Sequence, residues 1–252
     1  MASEDFPDVA AVFDHYVALM SMAPEPGGSL IFYGELDSRG LATAVASNIA
    51  GATSLGIDAD ANRAKLALRQ GLCDFMVNSL DEALRILKNE IRKKQPVAVA
   101  LVGDPVQVET EMLDRGVQPD LVACGGRQER AFVARGAKVL PAAAAAAPDS
   151  LVVTWSISQN AAAWLPRVDA IAVDALENLS DPRARWIRLA PRYLQKSLSR
   201  ERYVRLQTRE LVRFVELLQQ RTQSGEISVP VQISSDGQPV VQPSPADSSA
   251  AV

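Results

Sequence analysis

Two glycines, a serine and an arginine fall within one short turn of this sequence, and two carboxylates follow about twenty residues later. The turn runs Gly34-Glu35-Leu36-Asp37-Ser38-Arg39-Gly40 after an apolar run, and the acids end a second apolar run. Glycines let backbone N–H groups approach a pyrophosphate at a helix N-terminus, and an acid after the second strand can hold ribose hydroxyls. The spacing is typical of a dinucleotide site at Gly34, Ser38, Arg39, Gly40, Asp58 and Asp60.

The composition of this turn opposes that chemistry. Glu35 and Asp37 put negative charge where a diphosphate would lie. Ser38 and Arg39 can still offer a hydroxyl and a guanidinium to a phosphate. The two later acids also have a purely structural alternative, because either can cap the helix that is predicted to begin near Ala61.

Strands and helices alternate around these residues from 29 to 140. Val97 to Gly103 is nearly all apolar, as expected of a central strand covered on both faces. Ser79 and Glu82 form a capping box, and Pro105 suits the first position of a helix. The sequence therefore predicts an α/β fold, a Rossmann-like doubly wound parallel sheet with flanking N- and C-terminal helices.

We divide the chain into four parts from its patterning. A helix over 7–22 places residues 1–26 against the core, and 27–176 forms the Rossmann-like domain, ending with a strand at 151–157 and a possible strand at 170–173. Residues 177–233 are predicted to be helical and basic, with a final strand. The tail 234–252 is rich in Pro, Ser, Gln and Asp and is predicted to be disordered.

Charge and hydropathy limit the partners. With 26 basic and 30 acidic residues the net charge is -4, so we expect no nucleic acid partner. The apolar runs are too short for a membrane span, and the acidic N-terminus lacks the basic region of a secretory signal, so we expect a cytoplasmic location. The arginines of 181–213 form either a solvated face or a cationic surface for an anionic ligand or a partner subunit.

The cysteines and the histidine suggest no second site. Cys73 and Cys124 have apolar neighbours, which favours two buried thiols over a disulfide. His15 lies within the N-terminal helix and is predicted to be structural. These residues have no spacing typical of a metal site or a catalytic triad.

Three segments together resemble the urocanase (urocanate hydratase) family. They are Ala50 to Asp58 with Leu80-Asp81-Glu82-Ala83-Leu84; Val97 to Asp120, which includes Met112-Leu113-Asp114-Arg115-Gly116-Val117-Gln118-Pro119-Asp120; and Arg185-Trp186 through Ser224-Gly225-Glu226-Ile227-Ser228-Val229-Pro230-Val231. The resemblance implies a Rossmann-like domain with part of a core domain. It also implies NAD as cofactor, lyase (hydratase) chemistry and a place in histidine metabolism.

This chain departs from the family pattern where that chemistry is carried. The family's glycine-rich loop corresponds to residues 34–40, which keep only the two outer glycines. Ala123 to Gln128 replaces a family Asp-Gln-Thr-Ser-Ala-His run, and the cysteine-bearing core segment is absent. What carries over is Gly34, Gly40 and an acid at 58 or 60, and Asp236 after the last strand is a further candidate.

The main hypothesis is a urocanase-like protein without hydratase activity, acting as a ligand-binding or regulatory and interaction module. Its expected ligand is a dinucleotide or a small anion, and it is expected to form a homodimer through its C-terminal helices. The first alternative is an enzyme of changed specificity that uses Asp58, Asp60 or Cys124 at the strand ends. The second is a subunit of a larger hydratase.

Overall fold

The chain divides into two compact units, Met1–Ala145 and Ala146–Val252. The computed structural model describes residues 6–123, 125, 127–142, 149–176, 178 and 180–240. The first unit alternates strands and helices in the order α1 Val9–Met22, β1 Leu30–Gly34, α2 Ser38–Ala50, β2 Thr53–Asp58, α3 Ala61–Arg69, β3 Phe75–Val77, α4 Leu80–Lys93, β4 Val97–Val102, α5 Pro105–Asp114, β5 Leu121–Ala123, α6 Glu129–Ala134 and β6 Lys138–Leu140.

The strands of the first unit form one parallel sheet, which confirms the predicted Rossmann-like fold class. Its order is β3-β4-β2-β1-β5-β6, and every pairing within it is parallel. The chain places β2, β3 and β4 on one side of β1, with β4 between β2 and the edge strand β3, and then crosses to β5 on the other side. The boundary between β1 and β5 is therefore the topological switch point, where open α/β sheets place ligands.

Local chemistry starts the helices of this unit at the expected places. The amide of Glu82 donates to Ser79 Oγ at 3.3 Å, and Glu82 Oε2 accepts from the Asn78 amide at 3.1 Å. Asp104 caps α5 with Pro105 in its first turn. β4 is buried along almost its whole length, as its apolar sequence predicted, although it lies one strand away from the sheet centre.

The second unit has a smaller sheet of its own. It contains β7 Ser150–Ser156, α7 Ala161–Ala175, α8 Pro182–Tyr193, β8 Glu201–Gln207, α9 Thr208–Gln223, β9 Gln232–Ser235 and β10 Gln238–Pro239. The sheet is antiparallel with the order β10-β9-β7-β8. The strand predicted at 151–157 as one more strand of the Rossmann-like domain thus belongs to a second sheet, which the sequence did not predict.

Three predictions for this region are wrong. Residues 170–173 lie within α7 rather than in a strand, because Leu165, Val168 and Ala172 bury one helical face. Residues 201–207 form β8 rather than a helix, since burial alternates from residue to residue along them. Residues 234–240, placed in the disordered tail, complete β9 and form β10, and the tail beyond 240 lies outside the described residues.

None of the described helices has both the length and the apolarity that crossing a bilayer requires.

Candidate functional site

A cavity of about 440 Å³ lies where β1 and β5 end, at the switch point of the parallel sheet. The β1–α2 turn, α5 and the segment after β5 enclose it. Its charged lining residues are Glu35, Asp37, Arg39, Glu109 and Arg127, and Gly34 and Gly40 of the turn also line it. The structure therefore builds a cavity on the turn that the sequence singled out.

The first turn of α2 is capped by its own carboxylate. Asp37 Oδ1 accepts a hydrogen bond from the Gly40 amide at 2.7 Å. This amide belongs to the group of N–H donors that a helix N-terminus offers to an anion. Because Asp37 already engages it, the donor is not available to a phosphate unless the cap is released.

The turn requires both of its glycines for reasons that involve no ligand. A Cβ atom at Gly40 would lie 1.9 Å from the Glu35 carbonyl oxygen, so α2 and the preceding loop approach too closely for a side chain. Gly34 has a φ of 77°, a conformation that favours glycine. The glycines that the turn shares with a dinucleotide loop are therefore explained by the packing of the turn itself.

Two arginines face the cavity in different states. Arg127 pairs with Glu35 at 3.2 Å between Nη2 and Oε1, and both side chains are about half exposed. Arg39 is exposed, and its guanidinium has no hydrogen-bond or ion-pair partner among the residues that the structure describes. One of the two cationic groups is thus free for a ligand.

Glu109 is the member of the site that sequence analysis missed. It lies on α5, lines the cavity and is only 3% exposed. Its Oε2 atom is fully buried and has no hydrogen-bond partner within the described part of the chain. Burial raises the pKa of this carboxyl, the nearby Arg127 opposes that rise, and Glu35 adds to it. The sequence pattern that could have identified Glu109 is its position beside Val108 on the buried face of α5.

The predicted acids after β2 have local structural partners instead. Asp58 is buried, accepts from the Asp60 amide at 2.8 Å and pairs with Arg63 at 2.7 Å. Asp60 caps α3 by accepting from the Asn62 amide at 2.8 Å. This is the capping alternative that the sequence left open, and neither acid lines the cavity.

The remaining candidates are placed as follows. Ser38 begins α2 and is exposed, but it does not line the cavity, so of the six predicted residues the structure brings Gly34, Arg39 and Gly40 together there. Asp236 accepts from the Val152 amide in the second unit. Cys124 lies outside the described residues.

Two residues predicted to be structural have structural environments. Cys73 is a buried free thiol. His15 is buried, and its Nδ1 lies 3.2 Å from Thr43 Oγ1. In the described ranges no group of three or more His, Cys, Asp or Glu side chains is arranged to hold a metal ion.

The residues of this cavity do not fit a dinucleotide. The α2 amide that would contact a phosphate is engaged by Asp37, and Glu35 adds a second carboxylate to the same turn. The buried acid in the position of a ribose ligand is neutralised by Arg63. The place is that of a dinucleotide site, but the Gly40 amide is already used within the protein, and Glu35 and Asp37 line the cavity beside it.

Among known protein families, the urocanase Rossmann-like domain matches residues 15–125 of this chain. This family is NAD-binding in general. The match spans most of the parallel sheet and all of the cavity lining named above except Arg127. Residues 185–231, where a resemblance to the family's core domain was predicted, lie outside the match, and that part stays a prediction. The first unit of this chain therefore contains a Rossmann-like domain of the urocanase family.

Proposed function

We propose that this protein is a small-ligand-binding module built on the urocanase Rossmann-like scaffold, without dinucleotide-dependent hydratase activity. Ligand binding at the cavity serves a regulatory or interaction role. The observation that supports this most directly is the 2.7 Å hydrogen bond from the Gly40 amide to Asp37. A carboxylate of the protein stands where a phosphate oxygen would have to bind.

The energetics of that arrangement disfavour a diphosphate. Releasing the carboxylate cap of α2 costs about 1 kcal/mol. The diphosphate would then lie beside Asp37 and Glu35, and like charges in one site raise the free energy of both. The positive end of the helix dipole offers only about 0.3–1 kcal/mol in return.

The chemistry of the described lining favours binding over covalent catalysis. It contains carboxylates, guanidiniums and one phenol, Tyr33. Tyr33 is buried, its hydroxyl lies 3.7 Å from Cys73 Sγ, and burial raises the pKa of that hydroxyl well above its usual value. A nucleophile activated by an adjacent base, as covalent catalysis requires, is not among the described lining residues.

Calorimetric titration of the purified full chain with NAD, NADP and ADP-ribose tests the proposal. We expect no saturable binding up to about 1 mM, and no hydration of urocanate with or without added NAD. Micromolar binding of NAD to the wild-type chain would contradict the proposal, because the Asp37 cap would then be no obstacle.

Two variants separate the charge of the turn from its shape. Glu35→Gln with Asp37→Asn removes both negative charges, and asparagine still caps a helix. We expect this double variant to bind ADP-ribose at least about tenfold more tightly than the wild type if repulsion is the obstacle. The matched control is Asp104→Asn, the same change at the N-cap of α5, which does not line the cavity.

A further inference from the structure

We propose that the cavity at the β1–β5 switch point binds a small zwitterion, whose anionic group pairs with Arg39 and whose protonated nitrogen donates to Glu109. This inference rests on the proposed function and names the ligand class of the same site. It is carried by the two charged side chains of the cavity that the described residues leave unpaired.

The internal pairs of the cavity account for its other charges. Glu35 and Arg127 form an ion pair with each other. Asp37 is engaged by the Gly40 amide as the cap of α2. After these contacts, one guanidinium and one carboxyl group face the cavity with unused hydrogen-bonding capacity.

Glu109 is the part of the site that requires a donor. A buried polar atom without a hydrogen bond costs about 1–3 kcal/mol, and nearly all buried polar atoms in native proteins have partners. The Oε2 atom of Glu109 is an exception among the described residues, and its side chain lines the cavity. An N–H donor on a bound molecule would remove that penalty, and a cationic donor would also stabilise the carboxylate.

Arg39 is the part of the site that requires an anion. A guanidinium presents a planar fork of donors that matches a carboxylate in a bidentate arrangement. Arg39 has no partner of that kind in the part of the chain that the structure describes, and it is exposed at the cavity. Its backbone is held at the start of α2, where Thr43 Oγ1 donates to its carbonyl oxygen at 2.9 Å.

The balance of charge decides between ligand classes. A dianion would meet three carboxylates in the lining, and a simple cation would meet two guanidiniums. A zwitterion places each of its charges opposite the unpaired group of opposite sign. A cavity of about 440 Å³ lies at the small end of ligand sites, which range over about 300–1,000 Å³, so the ligand is of amino-acid size.

A series of ligands that all carry one amino group and one carboxylate, at increasing separation, tests the zwitterion proposal with the full chain. The probes are the ω-amino carboxylates from glycine to 6-aminohexanoate, with butyrate and butylammonium as single-charge analogues of 4-aminobutyrate. Binding is measured by calorimetry and by ligand-detected NMR. We expect at least one zwitterion of the series to bind at least about tenfold more tightly than either single-charge analogue, since a charged hydrogen bond contributes about 1.5–3 kcal/mol.

Variants then assign the two contacts. Glu109→Gln and Arg39→Gln should each weaken binding of that zwitterion by about tenfold or more. The matched controls are Glu111→Gln, on the same helix but paired with Arg115 away from the cavity, and Arg69→Gln on α3. These controls should change the affinity by less than about twofold. Circular dichroism verifies that each variant is folded, and Arg39→Gln keeps the test decisive if Glu109→Gln does not fold.

The outcomes distinguish the inference from the proposed function. Equal binding of butyrate and the zwitterions, or no binding of any zwitterion up to about 10 mM, overturns the inference and leaves the proposed function standing. The inference is also overturned if Glu111→Gln loses as much affinity for the zwitterion, relative to the wild type, as Glu109→Gln does. Tight binding of NAD overturns the proposed function itself.

Discussion

At the scale of single residues, the surroundings of each carboxylate decide its role in this protein. Asp37 caps a helix, Asp58 neutralises Arg63, and Glu109 faces a cavity without a described partner. Sequence analysis identified the turn that bears Asp37 but missed Glu109. The reason is physical: whether a carboxylate has a partner depends on the elements packed around it, and a pattern along one helix does not contain that information.

Asp169 in the second unit illustrates the same dependence and gives a pH prediction. It accepts from Arg202 Nε at 2.9 Å and from Trp155 Nε1 at 3.0 Å. Burial nevertheless raises its pKa from 3.8 to about 6, because desolvation outweighs the opposing effects of Arg202 and the two hydrogen bonds. The folded state therefore binds more protons than the unfolded state between these values.

The stability contributed by protonated Asp169 is fully present below pH 3.8 and is lost as the pH rises through about 6. Because Trp155 donates to this carboxyl, we expect a step in tryptophan emission with a midpoint near pH 6. Trp155→Phe should abolish the step and Trp164→Phe should retain it. A step that survives in Trp155→Phe would show that another group titrates.

At the scale of secondary structure elements, the first unit was predictable from local patterns. N-caps such as Ser79 and Asp104 act over a few residues, and a strand buried on both faces is apolar along its whole length, as 97–102 is. These signals do not depend on distant parts of the chain. The helix predicted over 7–22 and the strand predicted from Val97 to Gly103 were therefore close to the observed Val9–Met22 and Val97–Val102.

The second unit was mispredicted because its signals depend on tertiary contacts. Along β8 the buried positions are Arg202, Val204 and Leu206. Arg202 faces inward because Asp169 receives it, so a charged residue occupies a core position of the strand. The alternation typical of a strand is hidden at that residue, and the arginines instead suggested a helix surface.

The first turn of α2 gives a prediction at this scale. Gly40→Ala would ordinarily favour a helix by about 1 kcal/mol. Here its Cβ would lie 1.9 Å from the Glu35 carbonyl oxygen, so the loop must move, and we expect a loss of about 1–3 kcal/mol in the free energy of unfolding. Urea denaturation measures it. Gly27→Ala is the matched control, because its Cβ would have its nearest contact at 3.5 Å.

The stabilities of Gly40→Ala and Gly27→Ala, compared with each other, decide whether the close approach exists in solution. Gly27→Ala should change stability by less than about 0.5 kcal/mol, as substitutions away from special features do. If Gly40→Ala is as stable as the control, the close approach of α2 to the loop is not present in solution. The glycines of the turn would then need a reason other than its packing.

At the scale of the whole molecule, the chain consists of two units that differ in fold and in tryptophan content. The apolar core that spans 30–137 belongs to the first unit, and Trp155 with Phe214 packs in the second, their ring centroids 5.2 Å apart. The fold class of the first unit was predictable because alternating strands and helices define it. The second sheet was not, because β7 pairs antiparallel with β8 and with β9, and no hairpin turn joins those strands to mark the pairings in the sequence.

The homodimer expected through the C-terminal helices stays a prediction, which sedimentation velocity can test. The arginine surface that motivated it is smaller than the sequence implied. Arg183 pairs with Asp181 and with Glu210, both at 2.6 Å, and Arg202 is buried against Asp169. Two of the arginines that the sequence left to either a solvated face or a cationic surface therefore serve the fold of the second unit.

The location of the cavity leads to the prediction at this scale. Every lining residue named here lies before residue 128, within the first unit, and that unit contains its own sheet and apolar core. We expect a fragment of residues 1–145 to unfold cooperatively by circular dichroism and to bind the zwitterion of the ligand series within about twofold of the full chain.

All three tryptophans lie in the second unit, so the fragment has none and its unfolding must be followed by circular dichroism. In the full chain, tryptophan emission reports the second unit alone, while circular dichroism reports both. A fragment that lacks a cooperative transition would show that the first unit depends on residues beyond 145 for its stability. A folded fragment that has lost zwitterion binding would instead place part of the ligand's contacts in those residues, and the two measurements together separate these cases.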